Sequence, residues 1–450
     1  MSESNINTKI NFGSETFKKY FANTGWMFAE KIFRTLIAFF VGIYVARYLG
    51  PDQFGLLNYA ISFAGLFASF ANLGMDSIVV RELVKSPDRK DEILGTVFRL
   101  RLVGAFVTIS LVTLTAFLTN EPSFNLLLIV IISSATVFQS ITIVEQFFQS
   151  KVQAKYNVIA QLSSFIIVSI IKVMLVFFNQ PLIYFAIVQT LEMLFLAIGY
   201  YFVYTSNGYT FSQWKFVKET AKNLFRDSWP LVLSGVVIAI YMKIDQVMIK
   251  YFMSVKDVGY YAVAVKLCEA WYFVPMAIST SVFPAIVNAK QVNEKLYLSR
   301  LQKLYDFLAA IAIAIAIPVT FLSDFIINLL YGQAYQPAAS VLTIYIWAGV
   351  ATFLGVASSQ YLISENLTKL AFYRTLIGMI VNVIMNLYLI PIYGINGAAI
   401  ATLVSYSLAT FSIGFTKKTS HHFIMMMKSL LFINIIKEVL KNGFNFKTKD

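Results

Sequence analysis

The sequence is poor in charged side chains. Asp, Glu, Lys and Arg together make up 13% of its 450 residues, whereas a soluble globular domain carries about 25%. So few charges cannot cover a surface that faces water. The apolar residues, 58% of the chain, also fall into unbroken runs of about twenty, which is long enough to cross a hydrocarbon core of ~30 Å. The sequence therefore predicts a protein that crosses a membrane several times.

Several features of other protein classes are missing. The single cysteine, Cys268, excludes a disulfide framework and a multi-cysteine metal site, and we expect neither a metal nor a cofactor. No G-x-x-x-x-G-K-S/T loop is present, so the chain is not expected to hydrolyse ATP. No small-residue cleavage site follows the polar first residues, so the first span is expected to be retained. The net charge of +13 indicates lysine-rich cytoplasmic loops rather than a nucleic-acid partner.

Twelve apolar runs are long enough to span a membrane. Each is predicted to be a helix, because unpaired backbone groups in lipid are costly, and the alternating pattern of transmembrane strands is absent. The predicted fold class is therefore an all-α membrane protein. The spans are residues 24–47, 54–76, 98–118, 124–149, 156–178, 182–204, 229–249, 258–286, 304–323, 338–362, 368–390 and 395–416.

Basic residues mark every second loop. By the positive-inside rule these loops lie in the cytoplasm, together with both chain termini. The alternate loops, with the sequences TNEPS, NQP and PIYGING, carry neither Lys nor Arg, and we call their side of the protein the outer end. Arg47, Lys250 and Lys256 are the exceptions at this end. The basic loop residues are Arg81, Lys85, Arg89, Lys90, Lys151, Lys155, Lys215, Lys218, Lys222, Arg226, Lys290, Lys295, Arg300 and Lys303.

A short stretch of sequence occurs twice. ARYLGPDQFGLLNYA resembles IKYFMSVKDVGYYAVA, and with one gap Arg47 aligns with Lys250 and Gly55 with Gly259. The longest connection between spans, 205–228, separates the two copies. The repeat predicts two six-helix halves with the same orientation, related by an axis along the membrane normal. Transporters with this geometry work by alternating access to a site between the halves.

The chain divides accordingly into an N-terminal bundle (1–204), a cytoplasmic linker (205–228), a C-terminal bundle (229–418) and a cytoplasmic tail (419–450). Within the tail, residues 423–441 are apolar but interrupted by lysines. This segment is too short to span a membrane, and it is typical of a helix that lies at the membrane surface.

Three motifs carry a resemblance to a known family. They are ARYLGPDQFGLLNYA after the first span, YMKIDQVMI in the seventh, and IPIYGINGAAIATLVSY leading into the twelfth. With them the chain, from about residue 17 to 418, resembles the bacterial Wzx-type flippases for O-antigen (lipopolysaccharide) and capsule repeat units. These belong to the multidrug/oligosaccharidyl-lipid/polysaccharide exporter superfamily, whose fold is called MATE-like.

The resemblance implies a function. Such proteins move an undecaprenyl-pyrophosphate-linked oligosaccharide from the cytoplasmic to the outer leaflet of the bacterial inner membrane. They are thought to use alternating access, a cationic cavity and a proton or sodium gradient. The expected partners are the lipid-linked oligosaccharide, membrane lipids, a polysaccharide polymerase and a chain-length regulator.

Three charged residues lie inside the first span. Glu30, Lys31 and Arg34 are three or four residues apart and share one helix face. At ~1.5 Å per residue, Arg34 lies roughly 12–15 Å inside the cytoplasmic boundary. Two interpretations stay open. The first is a Glu30–Arg34 ion pair, and the second is a receptor for phosphate, which the guanidinium fork and the Lys31 ammonium would bind.

Charges in the later spans allow similar alternatives, because an ionisable residue in a membrane is either paired or functional. Lys243 and Asp245 lie in span seven, and Lys266 and Glu269 in span eight. Either set could form structural ion pairs or line a central cleft. We expect Lys243 to face the cleft and Asp245 to meet a basic partner, or the reverse.

Lys172 and Glu192 lie at similar depth in neighbouring spans and are expected to pair, although Glu192 is also a candidate for proton coupling. Arg47 and Lys250 are either interfacial anchors or part of the outer mouth of a cleft. The candidate substrate-binding residues are Lys31, Arg34, Arg47, Lys243, Lys250 and Lys266. The candidate ion-coupling residues are Glu192, Asp245 and Glu269.

Three alternative functions remain. A multidrug cation antiporter of the same superfamily should have an acidic, aromatic cavity, whereas basic residues match or outnumber acids in these spans. A membrane polysaccharide polymerase should have a large outer loop with catalytic groups, and the outer loops here are short. A lipid scaffold without transport would not need buried charges.

Overall fold

In the computed structural model, residues 15–433 are described. Over this range the chain forms sixteen α-helices and no strand, which confirms the all-α fold class. The helices are α1 Glu15–Gly65, α2 Ala68–Asn72, α3 Asp76–Lys85, α4 Lys90–Leu118, α5 Ser123–Gln139, α6 Ile143–Ser150, α7 Ala154–Phe177, α8 Leu182–Ser206, α9 Lys218–Phe252, α10 Val255–Glu269, α11 Phe273–Val292, α12 Glu294–Tyr331, α13 Ala338–Ser364, α14 Thr368–Tyr393, α15 Ile395–Phe411 and α16 Ser420–Leu430.

Eleven stretches of helix in this range are long and apolar enough to cross a membrane, one fewer than predicted. The difference lies in the first, Ala29–Gly65, which has 37 residues. At ~1.5 Å per residue it would be about 55 Å long, nearly twice the thickness of a hydrocarbon core. It is broken at Gly50, whose φ of 67° and ψ of 172° are not helical, and Pro51 follows. This break divides the helix into the first two predicted spans.

One apolar core joins the two predicted halves. Tyr59 of the first half and Tyr261 and Tyr305 of the second belong to a single cluster of buried residues. Helix α1 packs along α10, and α9 packs against α14 and α1. Because lipid is as apolar as these side chains, close packing rather than exclusion of water holds such helices together. The contacts between the halves therefore depend on shape.

Large aromatic side chains cover the outside of the bundle. Phe117, Phe177 and Phe321 are 70%, 74% and 83% exposed. Exposed apolar surface of this extent is unfavourable in water but matches the hydrocarbon interior of a membrane. With the apolar helices it identifies a multi-pass membrane protein.

The tail does not lie free at a membrane surface in its first part. Helix α16 packs against α12, where the Gln302 side-chain amide donates to the Met425 carbonyl at 3.0 Å and to Ser429 Oγ at 2.8 Å. The predicted interfacial helix, 423–441, is therefore docked on the protein up to residue 430. Its later residues, 434–441, lie outside the described range.

His422 is buried where α16 meets the bundle. Its ring lies 3.6 Å from that of Tyr361, measured between centroids, and its Nδ1 makes no hydrogen bond. Burial, reinforced by the neighbouring His421, lowers the pKa of His422 to about 4. The docked tail therefore requires a neutral imidazole.

We expect docking of α16 to weaken as the pH falls from 6.5 towards 4. An undocked His422 takes up a proton near pH 6.5, whereas the docked ring stays neutral to about pH 4, so stability present above pH 6.5 is lost across this window. At pH 5 the loss should be on the order of 1–2 kcal/mol. Hydrogen exchange of residues 420–430 at pH 7.5 and 5.0 measures it. His422→Phe should remove the pH dependence, and equal protection of the wild type at both pH values would contradict it.

Candidate functional site

A cavity of about 150 Å³ lies between the two halves. Helices α1, α7 and α8 of the first half form most of its wall, and α10 of the second half contributes Lys266. No Asp or Glu is among its lining residues in the described part of the chain. Its polar lining residues are Asn58, Ser169, Lys172, Gln189 and Lys266.

Lys266 is the second half's charge in this cavity. Its side chain is exposed, and its Nζ lies 4.4 Å from the centre of the Phe54 ring, within cation–π range. Within residues 15–433 it makes no ion pair. The charges nearest to it are those of Lys172, Lys243 and Glu269, so the local balance is positive.

Lys172 is paired, as the sequence predicts. Its Nζ lies 3.5 Å from Glu192 Oε2, and the Ser164 hydroxyl donates to the Glu192 carbonyl at 2.8 Å. The structure thus places one predicted coupling residue, Glu192, beside the cavity and against a lysine. Part of the positive charge of Lys172 is offset there, whereas that of Lys266 is not.

The basic cluster of the first span lies directly below the cavity, on the side away from the outer end. Arg34 stands one helical turn before Ala38, which lines the cavity, and its guanidinium lies 5.9 Å from the Phe165 ring, which also lines it. Arg34 Nη1 lies 3.4 Å from Glu30 Oε1, which confirms the ion pair. Lys31 is exposed beside this pair, so the cluster remains net positive.

Asp245 is buried. The expectation that this carboxylate pairs with a basic residue is wrong. Its carboxylate accepts hydrogen bonds from neutral groups alone: the Tyr261 hydroxyl at 2.6 Å, Thr402 Oγ1 at 2.7 Å and Asn386 Nδ2 at 2.6 Å. The sequence could not show this, because the donors stand on three other helices, α10, α14 and α15.

The surroundings of Asp245 are rich in oxygen atoms. Asn386 Oδ1 is buried next to the carboxylate and accepts no hydrogen bond, and Thr402 Oγ1 donates to the same carboxylate. Carboxylate, amide and hydroxyl oxygens are the ligands of hard cations. Glu269, by contrast, lies near Lys243 and Lys266. Among the three predicted coupling residues, Asp245 is therefore the one without a basic neighbour.

At the outer end, Lys250 is neutralised. Its Nζ lies 2.6 Å from Glu121 Oε1, which also accepts from the Tyr59 hydroxyl at 2.7 Å, and Asn125 donates to Oε2 at 3.1 Å. Burial alone would raise the pKa of Glu121, but these hydrogen bonds outweigh it and lower the pKa. The prediction that Lys250 offers a free charge to the substrate does not fit this pairing.

The role of Glu121 was not predicted, because the most evident property of the TNEPS loop is its lack of Lys and Arg. Arg47, which aligns with Lys250 in the repeat, has no such partner in the described range. It is exposed and approaches Gly332, and beside it the Tyr335 hydroxyl donates to the Ala46 carbonyl at 2.7 Å. The two repeat positions thus have different surroundings.

The two aligned glycines of the repeat meet each other at the outer end. A Cβ on Gly55 would lie 1.8 Å from the Val255 carbonyl oxygen and 2.7 Å from the Gly259 nitrogen, and one on Gly259 would lie 2.1 Å from the Pro51 carbonyl oxygen. Only glycine allows backbones to approach so closely. Because equivalent positions of two copies touch, they lie beside the axis that relates the copies.

Two buried or half-buried arginines inside the predicted spans were not predicted to be functional or paired. Arg101 of α4 is 2% exposed and pairs with Asp76 at 2.6 Å, and Arg374 of α14 has only hydroxyl and carbonyl partners. Both fall within predicted spans, 98–118 and 368–390. A systematic search for charges in apolar runs would have found them.

The fold and the cavity between its halves define a multi-pass membrane protein of the MATE-like class. Residues 20–290 match the model of the family described as polysaccharide biosynthesis protein, and residues 230–388 match that of the MatE family. The chain belongs to the polysaccharide biosynthesis protein family. This confirms the resemblance carried by the three motifs.

Individual relatives agree with this assignment. The probable low-salt glycan biosynthesis flippase Agl15 of Haloferax volcanii is 26% identical over 43% of this chain, which spans only 41% of that protein's length. The putative O-antigen transporter of Shigella flexneri is 23% identical over 84% of this chain and 93% of its own length. The structure of the lipid II flippase MurJ in an inward closed conformation superposes with a TM-score of 0.71, at 17% identity over 92% of both chains, which shows a shared fold.

Proposed function

We propose that this protein moves an undecaprenyl-pyrophosphate-linked oligosaccharide from the cytoplasmic to the outer leaflet of a bacterial inner membrane. The observation that carries the proposal is the cavity between the halves, which has Lys172 and Lys266 in its wall and no acidic lining residue in the described chain. Cationic side chains offset the cost of placing a diphosphate at mid-membrane. The names of the relatives, a glycan biosynthesis flippase and an O-antigen transporter, support the same cargo class.

The cargo path would begin at the cytoplasmic side. The diphosphate first meets Lys31 and Arg34 below the cavity, and then Lys266 in its wall, with the charge of Lys243 nearby. The cavity of about 150 Å³ is smaller than the 300–1,000 Å³ typical of ligand sites, so it has to widen when the halves rock apart. The polyprenyl tail stays in lipid throughout, and only the head and the sugar enter.

Coupling to an ion gradient would use Asp245. A buried carboxylate without a basic partner is stable when it holds either a proton or a cation, and the surrounding oxygens of Asn386 and Thr402 suit a sodium ion. Glu192 and Glu269 are weaker candidates because lysines already lie beside them. The membrane potential supplies ~2.3 kcal/mol per charge per 100 mV.

A multidrug cation antiporter is the second candidate, supported by the MatE match over residues 230–388. The lysines of the cavity would repel a cationic drug, which favours the anionic cargo. A polysaccharide polymerase is disfavoured because the outer loops between helices are short. A polymerase and a chain-length regulator are instead proposed as partners that act on the delivered repeat unit, with both termini of this chain in the cytoplasm.

Lys266→Ala is expected to slow flipping at least tenfold, because a hydrogen bond to a charged group contributes about 1.5–3 kcal/mol. The assay uses proteoliposomes that contain a fluorescent prenyl-pyrophosphate-linked disaccharide, with quenching of the outer leaflet as the readout. Lys266→Arg should keep much of the rate. Lys256→Ala, at an exposed position on the same helix, is the matched control.

An unchanged rate in Lys266→Ala would remove the cavity from the transport path. Export of ethidium by the wild type, without flipping of the lipid probe, would favour the cation antiporter instead.

A further inference from the structure

Arg374 is a charge in the second half for which the function proposed above has no use. It lies on α14, six residues after the helix begins, which places it about 9 Å from the cytoplasmic end of the helix. Its Nη1 donates to Ser358 Oγ at 3.0 Å, and its Nη2 donates to Ser359 Oγ at 2.6 Å and, at 3.4 Å, to the Gly355 carbonyl. All three acceptors are neutral.

No carboxylate balances this charge. Within residues 15–433 Arg374 forms no ion pair, and the titratable groups nearest to it are the hydroxyls of Tyr305 and Tyr241. A guanidinium is always charged, and an uncompensated charge in a membrane span is costly. Arg101, the buried arginine of the first half, has Asp76 against it, whereas the half-buried Arg374 has no carboxylate among the described residues. Arg374 therefore calls for an anion that does not come from the described chain.

Two further donors point to the same place. The Tyr305 hydroxyl is fully buried beside Arg374, and among the described residues it has no hydrogen-bond partner within 3.5 Å, the Ser358 hydroxyl being its nearest polar neighbour. The Nε–H of Arg374 also has no acceptor, yet this atom is not sealed off from its surroundings. A buried hydroxyl without a partner is destabilising. An oxyanion that accepts from Tyr305 and from the free guanidinium N–H would satisfy both groups.

We propose that Arg374, with the Tyr305 and Ser358 hydroxyls, forms a phosphoryl-binding site in the second half, on the cytoplasmic side. The arginine supplies charge and a planar fork that fits phosphate oxygens, and the hydroxyls supply neutral donors. This proposal rests on the proposed function: the ligand is the diphosphate head of the lipid-linked cargo. The first half offers Arg34 and Lys31 on the same side, so each half presents an arginine to the entering head.

The competing explanation is mechanical. Arg374 links α14 to α13 through Ser358 and Ser359, and such a clamp would stabilise the bundle without any ligand. The two explanations differ for Tyr305→Phe. A clamp uses the Tyr305 hydroxyl at most through a long contact to Ser358 and binds no ligand. An oxyanion site loses a donor, and with it affinity for the ligand, when that hydroxyl is removed.

Binding of farnesyl pyrophosphate to the purified full-length protein in detergent tests the proposal, with farnesol as the uncharged control ligand. We expect the wild type to bind farnesyl pyrophosphate and not farnesol. Arg374→Gln should weaken binding at least tenfold, and Tyr305→Phe by about threefold, as the loss of a charged and of a neutral hydrogen bond predicts. Arg374→Lys keeps the charge but not the planar fork of donors. Its affinity for farnesyl pyrophosphate should lie between those of the wild type and Arg374→Gln. Arg99→Gln, at an exposed cytoplasmic arginine, should leave binding unchanged.

Wild-type affinity in Arg374→Gln and in Tyr305→Phe would overturn the site and leave the clamp. Equally tight binding of inorganic pyrophosphate would identify a free phosphate as the occupant and overturn the assignment to the cargo. Wild-type flipping by Arg374→Gln would sink this inference while the proposed function stands. If the wild type flips no lipid-linked probe at all, the proposed function fails first. Should Arg374→Gln fail to fold, Arg374→Lys and Tyr305→Phe decide the question.

Discussion

Gly259→Ala is expected to lower the flipping rate at least tenfold and to hold the outer end open. A Cβ at this position would lie 2.1 Å from the Pro51 carbonyl oxygen, whereas non-bonded atoms settle at about 3.5 Å or more. The clash is with backbone, so rotation of a side chain cannot relieve it. Helices α1 and α10 would have to move apart by roughly 1.5 Å where they cross. A packed interface responds to such a shift by switching to its other arrangement.

The opening can be measured directly. With Cys268 replaced by serine, spin labels at Asn120→Cys and Lys256→Cys report the distance between the halves at the outer end. We expect this distance to increase in Gly259→Ala and Gly55→Ala. Gly25→Ala, in α1 with no atom within 4 Å of the added methyl, is the control and should behave like the wild type. Unchanged flipping in Gly259→Ala would show that transport does not need this closure.

The ion pairs at the two ends are weaker constraints than the contact between Gly55 and Gly259. We therefore expect this glycine contact, and not a salt bridge, to control closure of the outer end. Arg81 of α3 and Asp227 of α9 pair at 2.8 Å at the end opposite the outer end, but their side chains are 47% and 41% exposed, so the pair contributes at most about 1 kcal/mol. Glu121 is 3% exposed, yet its pairing with Lys250 can break if water enters. The backbone contact at Gly55 and Gly259 cannot be replaced by contacts with water in this way.

The fold was predictable from hydrophobicity because a lipid environment leaves helices as the only way to satisfy the backbone within an open chain. The pair of Lys172 and Glu192 could be predicted from their depth in the membrane alone, because residues at the same depth on neighbouring helices lie close together. The repeat placed Gly55 and Gly259 at equivalent positions. It did not predict that they touch, because contact depends on how the copies are arranged around their axis.

The candidate site was less predictable. Lys250 was predicted to be either an interfacial anchor or part of the outer mouth of a cleft. Its pairing with Glu121 was not predicted, because that carboxylate comes from another part of the chain. Asp245 was expected to need a cation from a side chain because only charged residues were considered as partners. Its donors are a tyrosine, a threonine and an asparagine, which are too common for their positions in the sequence to reveal such a role.

The hypothesis of a positive interior predicts that the basic residues are not all neutralised by neighbours. In the structure, some of these basic residues are neutralised by a carboxylate and others are not. Lys266 and Arg374 have no carboxylate within ion-pair distance among the described residues, and they come from the same half. The paired residues are Arg34 with Glu30, Lys172 with Glu192 and Lys250 with Glu121. Lys31 and Arg47 of the first half and Lys243 of the second also form no ion pair among the described residues, so a diphosphate would meet uncompensated charges in both halves. We expect Lys266→Ala and Arg374→Gln to weaken its binding.

Asp245→Asn is expected to uncouple flipping from the ion gradient. Asparagine keeps the shape and can still pair with Asn386 and Thr402, but it carries no charge and so cannot exchange a proton or hold a cation. A potential of 100 mV provides ~2.3 kcal/mol per charge, which corresponds to roughly fortyfold accumulation of cargo. In proteoliposomes, imposing sodium and proton gradients separately should raise accumulation in the wild type for one of the two ions and for neither in Asp245→Asn. Asp324→Asn, at an exposed position, should respond like the wild type. A full gradient response in Asp245→Asn would exclude this carboxylate from coupling and leave Glu192, which Lys172 would then have to release during transport.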